Sequence, residues 1–209
     1  MVLEGGAGTG IATRALLRRG AEVVPFDIGA GVLIRARART PRLRAVVADG
    51  ASMPFHDGCA DLLCFAQSWH WLDRDRRNEE AARVLRDGGR WAAWWSHARA
   101  DDEPWFDHYW NAVESVTSVR REERDGDAGV ELRECGLFQV SDRITFGWVR
   151  EATTKQWLKD ERSKSYIAAL PEPALTSHLT TVEAIINERF PTGQMLVRYE
   201  TALWLAEKK

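Results

Sequence analysis

Three glycines and two aspartates are the residues of this chain whose types and spacing could do chemistry. The stretch Val2–Gly10 reads VLEGGAGTG, an apolar-to-acidic run that passes straight into glycine. Gly6, Gly8 and Gly10 give the spacing G-x-G-x-G. Glycine lets the backbone take positive φ and come close to a ligand, and the start of the helix that follows offers unpaired N–H groups. Pyrophosphate would suit such a turn. The dinucleotide fingerprint is G-x-G-x-x-G, however, and no three glycines here have that spacing. Asp27 and Asp49 close two further apolar runs, AEVVPFD and RLRAVVAD. A carboxylate at the end of a second strand can accept both hydroxyls of a ribose, as it does in dinucleotide folds. One at the end of a third strand can accept from an adenine amino group.

The elements needed to position these residues are legible from periodicity. Val2–Glu4 ends a buried strand, and Ile11–Arg19 is a helix stopped by Gly20. A second strand ends at Asp27, a helix runs from about Gly29 to Arg39 before Pro41, and a third strand ends at Asp49. Ala60–Gln67 is a fourth strand. Asp73 caps a helix running to Arg86 that Gly88 and Gly89 end, and RWAAWWSH is a fifth strand. Near-continuous apolar strands alternating with helices predict a parallel sheet covered on both faces, hence a doubly wound α/β fold. All the candidate residues then fall at the carboxyl ends of adjacent strands, where such sheets bind ligands. The ligand so described has adenine, ribose and a third group that needs no phosphate cradle; S-adenosylmethionine fits.

After His97 the rhythm changes. Asp101–Arg124 reads as a helix, with acids at its start and Arg120, Arg121 and Arg124 at its end, complementing the macrodipole. A short helix, a stop at Gly136 and a strand to about Val149 follow, then helices Thr153–Leu170 and Pro173–Arg189 and a long closing strand, MLVRYETALWLAE.

Composition narrows the classes. The 209 residues are 44% hydrophobic and 29% charged, as in an ordinary globular chain, and are expected to form a single domain, 1–209. The net charge of −2 provides no field to favour nucleic acid or anionic lipid. Arg35, Arg37, Arg39, Arg42 and Arg44 read as a solvated face. No apolar run approaches the ~18 residues of a membrane span. Cys59, Cys64 and Cys135 are odd in number and lack metal-ligand spacing, and the five histidines are scattered. The expectation is a cytoplasmic protein with reduced thiols and no metal, a monomer or homodimer acting on a small molecule.

VLEGGAGTG, VVPFDIGAGVLIRARA, VVADGASMPFHDGCADLLCFAQSWHWLD and VLRDGGRWAAWW together resemble the successive motifs of class I S-adenosylmethionine-dependent methyltransferases. AQSWHW and KQWLKDERSKSYIAAL are more specifically similar to the small-molecule branch containing trans-aconitate methyltransferase. The resemblance implies a seven-stranded, mostly parallel, Rossmann-like sheet whose last strand is antiparallel, with an inserted helical cover at about 101–124 and 153–189. It implies that Glu4 helps to hold the methionine end and that Gly6, Ala7, Gly8 and Gly10 form the turn beside the cofactor. Asp27, with Ile28, would bind the ribose. Asp49, Gly50 and Ala51 would flank the adenine, and Ala66, Gln67 and Ser68 would border the methyl group. Gly5 replaces the bulkier apolar residue usual in the family, which is expected to loosen the packing slightly. Family members also carry a helical segment ahead of the first strand, so a chain starting here is expected to have a more open pocket.

Methyl transfer is an in-line displacement in which the protein supplies orientation and electrostatics. A carboxylate acceptor needs no base, whereas a hydroxyl often benefits from one. His70 is the candidate acid/base, between Trp69 and Trp71, which are candidate acceptor contacts; the alternative for His70 is packing or positioning. Trp105 and Tyr109 either line the acceptor or form the core face of their helix. The [DN]-P-P-[YF] motif of amino-group methyltransferases is replaced by AQSWHW, which argues against amide and adenine-N6 targets. Methyl transfer to a carboxylate or hydroxyl oxygen is the leading expectation. The alternative is a non-catalytic or truncated protein of the same fold that binds the cofactor weakly or not at all.

Overall fold

A computed structural model describes residues 1–121 and 128–209. They divide into two compact units. One comprises residues 1–95, 128–145 and 202–209, and the other residues 96–121 and 146–201.

The first unit is built on parallel pairing. β1 (Val2–Gly5) lies between β2 (Val23–Asp27) and β4 (Ala60–Ala66), with Gly5 opposite Phe26 on one side and Phe65 on the other. β2 also pairs with β3 (Val46–Val47), and β4 with β5 (Leu85–Ala98). Connection through α1 (Ile11–Arg18), α2 (Ala30–Arg39) and α3 (Arg74–Val84) brings each strand back in the same direction. The carboxyl ends of β1, β2 and β4 therefore share one edge. The order of the sheet is β3-β2-β1-β4-β5-β8-β6, where β6 is Phe138–Val140 and β8 is Gln194–Lys208. β6 and β8 are antiparallel, as expected of the last strand. The sheet has eight strands rather than seven, because β7 (Ile144–Thr153) branches off to pair with β8.

The core of this unit is aromatic. Phe26, Phe65, Trp69 and Trp91 pack in sequence at centroid distances of 6.3, 4.8 and 5.0 Å, all at edge-on or tilted angles that suit the ring quadrupoles. Leu3 and Leu63 fill the layer beside them. Gly5 is required here: a Cβ would lie 2.1 Å from the Phe65 ring. The missing side chain makes room for an aromatic, so the packing at Gly5 is tight and not loosened as expected from its departure from the usual residue.

Three expected boundaries shift. α3 begins at its Asp73 cap, whose side chain accepts from the Asp75 amide at 3.0 Å, but it ends at Val84. Gly88 and Gly89 lie inside β5 instead, at an irregularity where pairing with β4 jumps from Leu85 to Arg90. A Cβ on Gly89 would lie 2.7 Å from the Arg86 carbonyl oxygen, so the bulge needs glycine. The third strand shrinks to two residues, because Leu43 and Ala45 pack into a separate small cluster with Leu33 and Ala36 of α2. The single strand expected up to Val149 is two, β6 and β7.

The second unit is mainly helical, with α4 (Pro104–Val116), α6 (Thr154–Ser163), α7 (Ser165–Ala168) and α8 (Glu172–Arg189); α5 (Ala128–Glu134) belongs to the first unit. α4 and α6 both pack on α8. The helix expected over 101–124 stops at Val116, and Arg124 lies outside the described residues. Arg121 pairs with Asp101 and Asp107, at 2.5 and 2.6 Å, instead of extending the helix. α6 starts with a full capping box between Thr153 and Gln156. The helix expected over 153–170 breaks at Lys164, whose backbone is extended. Its ammonium group bonds the buried Glu161 carboxylate at 2.8 Å and also reaches the Tyr109 hydroxyl.

Candidate active site

The glycine turn connects β1 to α1 with Gly6, Gly8 and Gly10 all in the left-handed region, at φ 63°, 55° and 78°. Gly6 is fixed by space as well as by angle, since a Cβ would meet Ser68 Cβ at 2.3 Å and Oγ at 2.5 Å. Ser68 in turn donates to the Gly5 carbonyl at 2.9 Å, tying the loop after β4 to the turn after β1. Ala7 is buried and donates to the Phe26 carbonyl at 3.1 Å.

Asp27 sits where the second strand ends. Its Oδ2 accepts from the Gly8 amide at 2.9 Å and its Oδ1 from the Gly29 amide at 2.8 Å. An ionised carboxylate has about four acceptor positions, so two remain for a ligand. Asp49 Oδ1 accepts from the Ala51 amide at 2.9 Å in a side-chain turn. Gly50 beside it has no room for a Cβ, because Leu72 Cδ2 would be 2.6 Å away.

Gly6, Asp27, Asp49, Gly50 and Ser68 border one cavity of about 340 Å³. Gly6, Asp27, Ile28, Asp49 and Gly50 line one part of it, and Ala66, Gln67, Ser68 and Trp71 another. Phe26, Ala48, Phe65 and Leu72 complete the wall. The sequence reading missed those four. Phe26 and Phe65 carried a signal, since they precede the strand-end residues on β2 and β4, whereas Leu72 carried none. Gln67 has φ 57°, rare for a residue with a Cβ, and its amide donates to the Trp94 carbonyl at 2.9 Å. Such strain clusters at functional sites.

Glu4, Ala7, Gly8, Gly10 and Ala51 support the cavity without lining it. Glu4 is 1% exposed, and its Oε2 has no hydrogen-bond partner. Burial pushes its carboxyl up to about 7 against the opposing pull of Thr13 and Arg14. Cys64 faces Glu4 across the β1–β4 pair, and burial, with the Glu4 charge, pushes its thiol well up. A buried acid with an unfilled acceptor, next to a turn that excludes side chains, fits a ligand carrying a cation at this end and a nucleoside at the Asp27–Asp49 end.

The candidate acceptor contacts separate. His70 and Trp71 are exposed, while Trp69 is 1% exposed and belongs to the core. Trp105 and Tyr109 are 4% and 1% exposed and lie in the interior of the second unit, against Trp157. Their stripe is the core face of α4. Among the described residues, no group of three or more His, Cys, Asp or Glu is placed to hold a metal ion. No helix of the described residues is long and apolar enough to cross a membrane.

Fold and site together define a doubly wound α/β protein with a crevice at the carboxyl edge of its sheet. The chain matches the methyltransferase domain family over residues 3–93. It is 31% identical over 188 residues to an uncharacterized methyltransferase of Mycobacterium tuberculosis, covering 88% of this chain and 72% of that one. It is 29% identical over 211 residues to a malonyl-[acyl-carrier protein] O-methyltransferase of Halorhodospira halophila, covering 95% of this chain and 71% of that one. The geranyl diphosphate C-methyltransferase of Streptomyces coelicolor, solved with S-adenosyl-L-homocysteine, shares the fold with a TM-score of 0.53 and 16% identity, over 100% of this chain and 70% of that one. This chain belongs to the methyltransferase family.

Proposed function

We propose that this protein transfers a methyl group from S-adenosyl-L-methionine to an oxygen of a small molecule, a carboxylate or a hydroxyl, in the cytoplasm. One observation carries the cofactor assignment. The Asp27 carboxylate is clamped by the Gly8 and Gly29 amides at the lip of the cavity, with acceptor positions to spare for vicinal hydroxyls. Asp49 stands on the same cavity for the adenine amino group, with Ile28 and Leu72 offering apolar surface to the base. Glu4 supplies a buried carboxyl that the cationic amino group of the methionine end would hold ionised, and Gly6 and Gly8 let that end approach the backbone. Ala66, Gln67 and Ser68 border the reacting centre.

When bound, the cofactor supplies the electrophile, a methyl group on a sulfonium whose bond electrons leave with sulfur as the new oxygen–carbon bond forms. The protein's own work is to hold the acceptor oxygen in line and to exclude water. An acceptor carboxylate is already ionised and needs no proton removed. The esterified carboxyl named for the Halorhodospira relative supports that class, as does the resemblance of AQSWHW to the branch that methylates trans-aconitate. The reading treats residues 1–209 as one functional domain and gives Trp69, Trp105 and Tyr109 no contact with the acceptor.

Calorimetric titration with S-adenosylmethionine and S-adenosylhomocysteine, with NAD as control, tests the cofactor. Binding of both sulfur nucleosides that Asp27→Ala abolishes supports the reading. A folded protein that binds neither, or prefers NAD, overturns it.

A further inference from the structure

The ring of His70 lies tilted against Trp71, with centroids 4.7 Å and planes 43° apart, and the Trp95 indole N–H donates to His70 Nδ1 at 3.1 Å. An indole nitrogen can only donate. Nδ1 must therefore present a lone pair, and the proton of the neutral ring must sit on Nε2. Protonating Nδ1 would set two N–H groups against each other and break the contact. Although His70 is exposed as a residue, the rings against its imidazole desolvate it and act in the same direction, lowering its pKa. The neutral ring in this contact carries its hydrogen on the outer nitrogen, Nε2.

The position gives this tautomer a use. His70 lies in the 3-10 turn Trp69–Trp71, directly after Gln67 and Ser68 and next to Trp71, all three of which line the cavity. Trp95 follows Trp94, which pairs with Ala66 at the carboxyl end of β4. We propose that Trp95 is a positioning residue that locks His70 in the Nε2–H tautomer, so that His70 meets the acceptor as a hydrogen-bond donor and not as a general base. This rests on the methyltransferase reading and narrows its acceptor class. An Nε2–H can hold one oxygen of a carboxylate while the other attacks. It cannot take the proton from a hydroxyl. The acceptor is then an oxygen that arrives already charged.

The test is long-range proton–nitrogen NMR on the full chain labelled with 15N-histidine, with His70 assigned from the spectrum of His70→Gln. In the unliganded protein the expected pattern is an unprotonated Nδ1 and a protonated Nε2. In Trp95→Phe the lock is gone, so a mixture of tautomers and a higher titration midpoint are expected. A protonated Nδ1 in the wild type, or an unchanged pattern in Trp95→Phe, would overturn the lock. Neither readout requires cofactor binding, so their failure is distinct from failure of the methyltransferase reading. For the donor role, the protein loaded with S-adenosylhomocysteine is titrated with malonate, trans-aconitate and benzoate. Movement of the Nε2–H signal by at least one of them, with Nδ1 still unprotonated, is expected. No movement with any of the three, or protonation of Nδ1 on binding, overturns it.

Discussion

The amide of Gly8 donates to Oδ2 of Asp27 at 2.9 Å, so the turn after β1 and the end of β2 form one rigid corner. Asp27→Ala removes the acceptor of two backbone amides as well as the proposed ribose ligand. Hydrogen bonds to charged groups contribute ~1.5–3 kcal/mol each. Affinity for S-adenosylhomocysteine is expected to fall by about 100-fold or more, given that each 1.4 kcal/mol is a factor of ten. Asp27→Asn keeps one carbonyl acceptor and should lose less. Equal affinities for wild type and Asp27→Ala in calorimetry would remove Asp27 from the site.

The buried acid Glu4 makes stability depend on pH. Its carboxyl is raised from 4.5 to about 7 in the fold. The folded form therefore holds a proton that the unfolded form has released. The associated stability is fully present below pH 4.5 and is lost as pH rises through about 7. Glu4→Gln should remove that dependence, abolishing a change in unfolding free energy on the order of 3 kcal/mol across this window, read from urea unfolding.

The same carboxyl links ligand binding to protons. A cationic amino group placed beside Glu4 lowers its pKa, so binding near pH 6.5 should release a fraction of a proton. Calorimetry in two buffers of different ionisation heat measures this directly. The release should be absent in Glu4→Gln.

Two glycines of the turn should respond differently to alanine. Gly8→Ala meets open space, with nothing within 4 Å of the added carbon, and bears only the ~1 kcal/mol cost of a left-handed conformation. Gly6→Ala bears the same cost and also collides with Ser68. Thermal unfolding should show a small loss for the first and a several-fold larger one for the second. The Gly6 variant should also displace Ser68 from the Gly5 carbonyl.

In the second unit, burial works against the ionised Glu161. Bonds from His178 at 3.0 Å, Lys164 at 2.8 Å and Tyr109 at 2.8 Å nevertheless hold it down to about 2. A depressed acid stabilises above its unfolded pKa, so this contribution is present above pH 4.5 and fades as pH falls toward about 2. Glu161→Gln should be less stable at neutral pH and lose less on acidification, as followed by tryptophan fluorescence.

The parallel half of the fold was legible because strand, turn and helix are each marked locally there: apolar runs closed by Asp27 and Asp49, glycines at the turns and Asp73 at a cap. The placing of Gly6, Asp27 and Asp49 on one cavity follows from the same signals. Boundaries failed where a tertiary contact prevailed over a local one. Gly88–Gly89 reads as a helix stop until the register of β4 against β5 makes it a bulge. Lys164 reads as mid-helix until Glu161 and Tyr109 draw it aside. The aromatic stripe of α4 could not be assigned from periodicity, since a core face and a ligand-facing one share the same spacing. Its burial comes from α6 and α8, far along the chain. The bond from Trp95 to His70 joins residues on different elements, and no spacing in the sequence signals it.

The strand order β5-β8-β6 has a bearing on synthesis. β6 is finished at Val140, yet the strand it pairs with begins at Gln194. During translation β6 must wait, its hydrogen-bonding edge unsatisfied, until residues 194–208 emerge from the ribosome. The Asp27 corner depends only on the first third of the chain. The nascent protein can assemble its nucleoside-side corner long before its sheet is whole, and the interval between the two is when it is most in need of protection from aggregation.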